Sequence, residues 1–287
     1  MKKRPEKIEI GVIGGSGLYS MEALQDVREV RVATPFGPTS DLITVGRIGG
    51  VPVAFLPRHG KGHRILPSEL PQRANIYALK KLGVRTILSM SAVGSLKAEL
   101  APRHFVFPDQ LVDKTWGRPS TFFGYGIVAH AAFSHPFCSE VSELMFRQAG
   151  KLGIQAHRGG TIVCMEGPLF STKAESEFHR KMGWDLIGMT ASPEAKLARE
   201  AGMCYCPVSM VTDYDAWREG EEVTASKVVE TLCWNTGKAK ELLAAAIPAI
   251  AGRKSACGCR AAMHNAVLTA EKTVPAAMRR KLAVILE

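Results

Sequence analysis

Two carboxylates one residue apart, Asp213 and Asp215, follow the apolar run Cys-Tyr-Cys-Pro-Val-Ser-Met at 204–210. That run is short and β-rich enough to predict a buried strand. Like charges held together in a shielded pocket push at least one pKa upward, so one of the pair keeps a proton near neutrality. Such a group suits a reaction in which a nitrogen heterocycle leaves carrying negative charge. Aspartates also start helices, and taken alone the pair is equally consistent with a cap for the helix that follows.

The second chemical group is Arg58-His59-Gly60-Lys61-Gly62-His63, after a strand ending at Leu56 and Pro57. It offers three cations between glycines if His59 is protonated. Arginine presents a fork matched to phosphate, and histidine adds a donor. The plain alternative is a solvated basic turn. Two small-residue loops follow other strands: Gly14-Gly15-Ser16-Gly17-Leu18 after 8–13, and Ser91-Ala92-Val93-Gly94-Ser95 after 84–90. Their exposed N–H groups and the Ser16 hydroxyl suit phosphate oxygens, although mere turn chemistry would look the same. The first loop is not a dinucleotide fingerprint. It reads Gly-x-x-Gly-Gly-x-Gly, and no acidic residue closes a second strand roughly 20 residues on.

Positioning these groups requires the elements between them. Residues 42–48 and 51–56 flank Gly49-Gly50 as a hairpin, and 67–82 has helical spacing. Extended stretches are predicted at 105–112, 160–165 and 185–189, and helices at 21–24, 137–152, 193–201 and 224–250. Residues 116–137, rich in Gly, Phe and His without a period, read as a long functional loop. Thr172 and Glu175 have capping-box spacing for a helix to 182, which leaves Phe170 and Ser171 at the strand–helix junction for stacking and hydrogen bonding. Alternating strands and helices predict an α/β class: one domain over 1–252, with a central mixed, twisted β-sheet flanked by helices. Amphipathic helices at 261–271 and 275–286 form a C-terminal helical extension over 253–287 packed on the same domain, as an interface, a lid or simple packing.

Composition narrows the classes. With 46% hydrophobic and 22% charged residues in 287, the chain is ordinary for a globular protein rather than disordered. The basic amino end, 1–7, runs into glycines at 11, 14, 15 and 17 and reads as a frayed cytoplasmic tail, not a leader. No run of about 18 apolar residues exists to span a membrane. The net charge of +10 is scattered, without an aromatic-studded basic stripe, so a nucleic-acid partner is not expected. Of seven cysteines, Cys257-Gly258-Cys259 stands out. As a zinc half-site it lacks a second pair at suitable spacing, as a redox pair it lacks Cys-x-x-Cys spacing, and a local disulfide is a further possibility.

Taken in order, Gly14-Gly15-Ser16-Gly17-Leu18, Thr34-Pro35-Phe36-Gly37, Arg58-His59-Gly60, Ser91-Ala92-Val93-Gly94-Ser95, Glu166-Gly167-Pro168, Gly188-Met189-Thr190 and Thr212-Asp213-Tyr214-Asp215 resemble the trimeric purine nucleoside phosphorylase family. Within it the chain is most similar to the 5'-methylthioadenosine-cleaving branch, over roughly 8–250. The resemblance implies the nucleoside phosphorylase fold and a phosphate site from Ser16, Arg58, His59, Ser91, Ala92 and Thr190. It places Phe170, Ser171, Met189, Asp213 and Asp215 around purine and ribose, with Asp213, Asp215 and His59 catalytic. His63, Val229 and His130 are implied around the 5'-substituent, His130 reaching a neighbouring subunit in a homo-oligomer, a trimer or a dimer of trimers. Inorganic phosphate is then a co-substrate, and no metal or organic cofactor is implied. Members specific for 6-oxopurines carry Asn in the aspartate loop and Glu near Ser171. Ser16 and Ser91 stand where Thr is frequent, with the hydroxyl retained. The tail is loosely matched, although thermophilic members carry a Cys-x-Cys disulfide there. A purine nucleoside phosphorylase of broader specificity, a hydrolytic nucleosidase and a non-catalytic nucleoside-binding protein are the alternatives.

Overall fold

The computed structural model describes residues 7–15, 18, 22–220 and 223–287. The amino-terminal segment 1–6 and Met21, where a short helix is predicted to begin, lie outside the described residues; Glu22, Ala23 and Leu24 form a turn instead of that helix. The chain then runs β1 (Ile10–Gly14), β2 (Gln25–Val30), β3 (Ile43–Ile48), β4 (Val51–Pro57), α1 (Gln72–Lys81), β5 (Thr86–Ser95), β6 (Phe105–Phe107), β7 (Gln110–Asp113), α2 (Ser139–Lys151), β8 (Ala156–Arg158), β9 (Thr161–Cys164), α3 (Lys173–Lys181), β10 (Leu186–Gly188), α4 (Ala191–Glu200), β11 (Cys204–Asp213), α5 (Ala225–Ala251), α6 (Ala276–Lys281) and α7 (Ala283–Leu286).

Among the described residues, eleven strands join into one mixed sheet. Its centre is parallel, in the order β4, β1, β5 and β11, with β3 and β2 added antiparallel at one side. Central strands covered on both faces read as continuous apolar runs, which accounts for the sequence of β1 and of the first half of β11. Side-chain alternation then divides the core. Ile13 and Ile87 pack in one layer with Ile76 of α1 and Leu197 of α4, whereas Val12 and Leu88 pack in the other with Met145 of α2 and Leu243 of α5.

Several expectations are corrected. Ser91-Ala92-Val93-Gly94-Ser95 is the carboxyl half of β5, not a loop, because β11 pairs with it from Ser91 to Gly94. The helix predicted over 67–82 is a short 3-10 turn, Pro67–Glu69, followed by α1, since Pro71 cannot supply a helical N–H. The segment at 261–271 is not a helix. After turns over 262–266, the Ala266 carbonyl accepts from the His130 N–H and the Leu268 N–H donates to the Val128 carbonyl, so 266–268 runs along the long loop. The last predicted helix breaks at Leu282 into α6 and α7, and Met278, Leu282 and Ile285 join the core layer beside α1. No helix among the described residues is long and apolar enough to cross a membrane.

The capping box of α3 is formed as its spacing predicts: Thr172 accepts from the Glu175 N–H at 3.2 Å, and the Glu175 carboxylate accepts from the Thr172 N–H at 2.8 Å. Thr172→Ala is expected to lower stability by about 1 kcal/mol in chemical denaturation, the usual cost of a lost cap.

Candidate active site

A cavity of about 620 Å³ opens at the carboxyl ends of β4, β1, β5 and β11, the edge at which open α/β sheets bind ligands. Arg58, His59, His63, Ser91, Ala92, Phe170, Met189, Thr190, Asp213, Asp215 and Val229 all line it. Two described residues singled out in the sequence do not. Ser171 lines an adjoining cavity of about 470 Å³, with Phe170 forming a wall common to both. His130 is exposed on the long loop, its N–H bonded to the tail. Ser16 lies outside the described residues.

At one end stands a buried polar network that the sequence did not reveal. The Arg58 guanidinium forks onto Glu194 of α4, with Nε donating to Oε2 at 3.0 Å and Nη2 to Oε1 at 3.1 Å. Nη1 donates to the Met90 carbonyl at 2.9 Å and Nη2 to Ser89 Oγ at 2.7 Å. Tyr205 Oη lies 2.8 Å from both Ser89 Oγ and Glu194 Oε1. Burial alone would depress the Arg58 pKa, but the Glu194 charge outweighs it and holds the guanidinium above its ordinary value. One Nη1 hydrogen is left without a partner among the described residues, and Arg58 lines the cavity.

His59 differs from the expected cation. Its Nδ1 lies 2.8 Å from the Ile65 carbonyl, which only accepts, so Nδ1 carries the proton and Nε2 presents a lone pair. Burial, aided by the charge of Arg58 and by His63 stacked at 4.3 Å, pushes the imidazole down to about 4 despite that hydrogen bond. Lys61 turns away to pair with Glu29. The basic loop therefore brings no free cation cluster to the cavity. It brings a paired guanidinium and a neutral imidazole, beside the hydroxyls of Ser91 and Thr190, 3.4 Å apart, with Thr190 at the N-cap of α4.

At the other end the register of β11 against β5 shifts between Val211 and Asp213, a bulge that re-aims the strand's last residue. The Thr212 hydroxyl donates to Asp213 Oδ2 at 2.7 Å, and the Asp215 N–H donates to Asp213 Oδ1 at 2.9 Å. Asp215 reaches this position with φ of +50°, a left-handed conformation that aspartate tolerates better than most residues. Burial raises the Asp213 pKa against those two hydrogen bonds, and the Asp215 charge adds to the rise. Asp215 Oδ2 is buried with no hydrogen-bond partner among the described residues. The close approach requires Gly94: a Cβ there would sit 3.0 Å from Asp213 Oδ1. The cap reading of the pair fails, because both side chains face the cavity instead of α5.

Behind the cavity wall, Arg118 of the long loop braces Met189. Its Nε donates to both Glu166 carboxylate oxygens at 3.1 Å, and Nη1 donates to the Met189 carbonyl at 2.7 Å, which fixes the floor under Met189. Val228, Val229, Leu232 and Cys233 of α5 supply an apolar wall. The arrangement can hold an oxyanion at one end, a flat heterocycle beside a carboxyl of raised pKa at the other, and an apolar substituent against α5.

A family profile described as the phosphorylase superfamily matches residues 9–248. The chain belongs to that superfamily. Within the superfamily, the S-methyl-5'-thioadenosine phosphorylase of Koribacter versatilis (strain Ellin345) is 52% identical over 279 residues, covering 97% of this chain and 95% of its own. That of Geobacter sulfurreducens is 48% identical, covering 96% of this chain and 97% of its own. Among solved structures, a methylthioadenosine phosphorylase from an antarctic soil metagenomic library superposes with a TM-score of 0.95 at 46% identity, covering 98% of this chain and 99% of its own. The enzyme from Schistosoma mansoni in complex with adenine gives 0.86 at 35%, over 91% of this chain and 99% of its own.

Two outcomes follow from the geometry. Glu194→Ala leaves a buried guanidinium without its counter-ion and is expected to destabilise the fold by roughly 3–5 kcal/mol in denaturant melts. Since His59 takes its proton near pH 4 when folded and near 6.5 when unfolded, the unfolded chain binds more protons between those values. Stability therefore falls as pH drops through that window, and His59→Gln should flatten this part of the Tm profile.

Proposed function

We propose that this chain catalyses phosphorolysis of 5'-methylthioadenosine to adenine and 5-methylthioribose 1-phosphate. The observation that carries the chemistry is the Asp213 carboxyl, buried, held by Thr212 and Asp215, and raised in pKa at the wall of the cavity. The likeness over nearly the whole chain to S-methyl-5'-thioadenosine phosphorylases supports the substrate.

In this reading phosphate lies at the Arg58 end, bound by the remaining Nη1 hydrogen, by Ser91, Ala92 and Thr190, and by the loop carrying Ser16. His59 Nε2 accepts from a protonated phosphate oxygen. A phosphate oxygen attacks C1' of the ribose as the bond to the base breaks, and the preset donors spare the anion reorganisation at that moment. Asp213 shares its proton with purine N7, so the base departs as neutral adenine. Asp215 accepts from the 6-amino group. An oxo group would accept where that amino group donates and would leave buried acceptors unpaired, which disfavours 6-oxopurines. Met189 lies under the ribose, and Phe170 lies against the base. No metal or organic cofactor enters the reaction.

The methylthio group would pack on Val229 and His63, with His130 supplied by a neighbouring copy in a cytoplasmic homo-oligomer, a trimer or a dimer of trimers. What supports the oligomer is apolar surface around His130: Tyr125 is 86% exposed and Leu268, bonded through its backbone to Val128, is 66% exposed.

The test is initial-rate kinetics with methylthioadenosine, adenosine and inosine, with and without phosphate. Methylthioadenosine turnover that stops when phosphate is omitted is expected; turnover that continues identifies a nucleosidase. Asp213→Asn should reduce kcat/KM for methylthioadenosine by roughly 10²–10⁴-fold, the range of a general acid. Unchanged kinetics would remove Asp213 from the mechanism.

A further inference from the structure

Four cysteines meet at the end of the sheet opposite the cavity. The Sγ atoms of Cys138, Cys204, Cys257 and Cys259 all lie within 4.8 Å of one another, and those of Cys204 and Cys257 are 3.4 Å apart. A tetrahedral zinc site with Zn–S near 2.3 Å sets its sulfurs about 3.8 Å apart, so small side-chain rotations would close the cluster around one ion. The convergence is the missing half of the Cys257-Gly258-Cys259 pair. Cys138, the N-cap residue of α2, donates its N–H to the Tyr205 carbonyl at 2.8 Å, which brings it beside Cys204 at the start of β11. Neither partner is recognisable from spacing, because each lies far from the tail in sequence.

We propose that these four cysteines bind a single structural zinc ion that fastens the carboxyl-terminal tail to α2 and β11.

The surroundings suit four thiolates. Arg253 Nη2 lies 3.6 Å from Cys204 Sγ and Ser255 Oγ 3.3 Å from Cys257 Sγ, so a guanidinium and a hydroxyl stand ready to offset the double negative charge of the tetrathiolate. Glu140 of α2 holds the tail loop in place, accepting from the Ala256 N–H at 2.9 Å. Three of the four sulfurs belong to buried residues, as in a closed structural site that keeps no coordination position for water. Binding displaces one proton from each thiol, four per ion, and releases them to solvent. Cys204 and Asp213 are the first and last residues of β11, so the ion stands a strand's length from the cavity and takes no part in the reaction there.

The test uses the full chain, expressed with zinc and purified without chelator. Elemental analysis is expected to find one zinc per chain, and the Cys257→Ser/Cys259→Ser variant to lose it. Cobalt(II) added to chelator-stripped, reduced wild-type chain should give sulfur-to-cobalt charge-transfer absorption with tetrahedral visible bands that zinc displaces. Removing zinc should lower Tm while leaving kcat/KM at 25 °C unchanged. A wild-type chain free of metal, without the cobalt–thiolate bands, overturns the proposal. So do cysteines that all alkylate in the presence of zinc, or a non-reducing mass showing them paired as disulfides. If the double variant fails to fold, the wild-type cobalt titration still decides.

Discussion

The buried ion pair of Arg58 and Glu194 is the contact on which the rest of the site depends. Burying either charge alone would cost several kcal/mol, so the pair is sound only if the fork and its remaining donors are satisfied together. That condition binds four elements: Arg58 follows β4, Met90 and Ser89 belong to β5, Glu194 to α4 and Tyr205 to β11. The strand ends and the helix start that line the cavity are therefore fixed relative to one another by a single polar knot. Such a network is stiff because losing one member exposes the others unpaired.

The opposite wall is built differently. Asp213 owes its position to a bulge, to the absence of a side chain at Gly94 and to a left-handed Asp215, three local backbone features instead of one buried network. Arg118 braces the segment between the ends, since its guanidinium joins the Glu166 carboxylate to the Met189 carbonyl. α5 lines the cavity mainly with apolar side chains, among them Val229, which remains 57% exposed, and is tied to β11 by Asn235, whose Nδ2 donates to the Val211 carbonyl at 3.0 Å.

Much of this was legible in the sequence wherever the signal is local. The 42–56 hairpin, the Thr172–Glu175 box and the apolar run before Asp213 depend on neighbours within a few residues, and each is found in the structure. Most of the proposed site residues are gathered into one cavity for the same reason: they stand at strand ends. What failed was governed by distant partners. Ser91 to Ser95 carries small residues typical of a turn, yet strand pairing with β11 makes it a strand, and residues 261–271 have helical periodicity that pairing with the long loop overrides. Glu194 reads as an ordinary first-turn acid of a helix, and nothing near it announces Arg58. The charge of His59 could not be read either, because it depends on burial and on the Ile65 carbonyl. The Thr34-Pro35-Phe36-Gly37 motif is structural: Thr34 closes its own turn at 2.6 Å, and Phe36 packs on Tyr77 and Phe122.

The pairing of Arg58 and the neutrality of His59 bear on how an anion would be selected. A chain of net charge +10 attracts anions from a distance, and that attraction weakens as ionic strength rises. At the cavity end itself, the guanidinium already has its counter-ion and the imidazole carries no charge, so little unscreened positive field remains. An oxyanion bound there would be held chiefly by the number and direction of its hydrogen bonds, which salt barely touches. Encounter would then depend on ionic strength while residence would not, and sulfate, equal in charge to hydrogen phosphate, would be disfavoured by its lack of a proton for His59 Nε2.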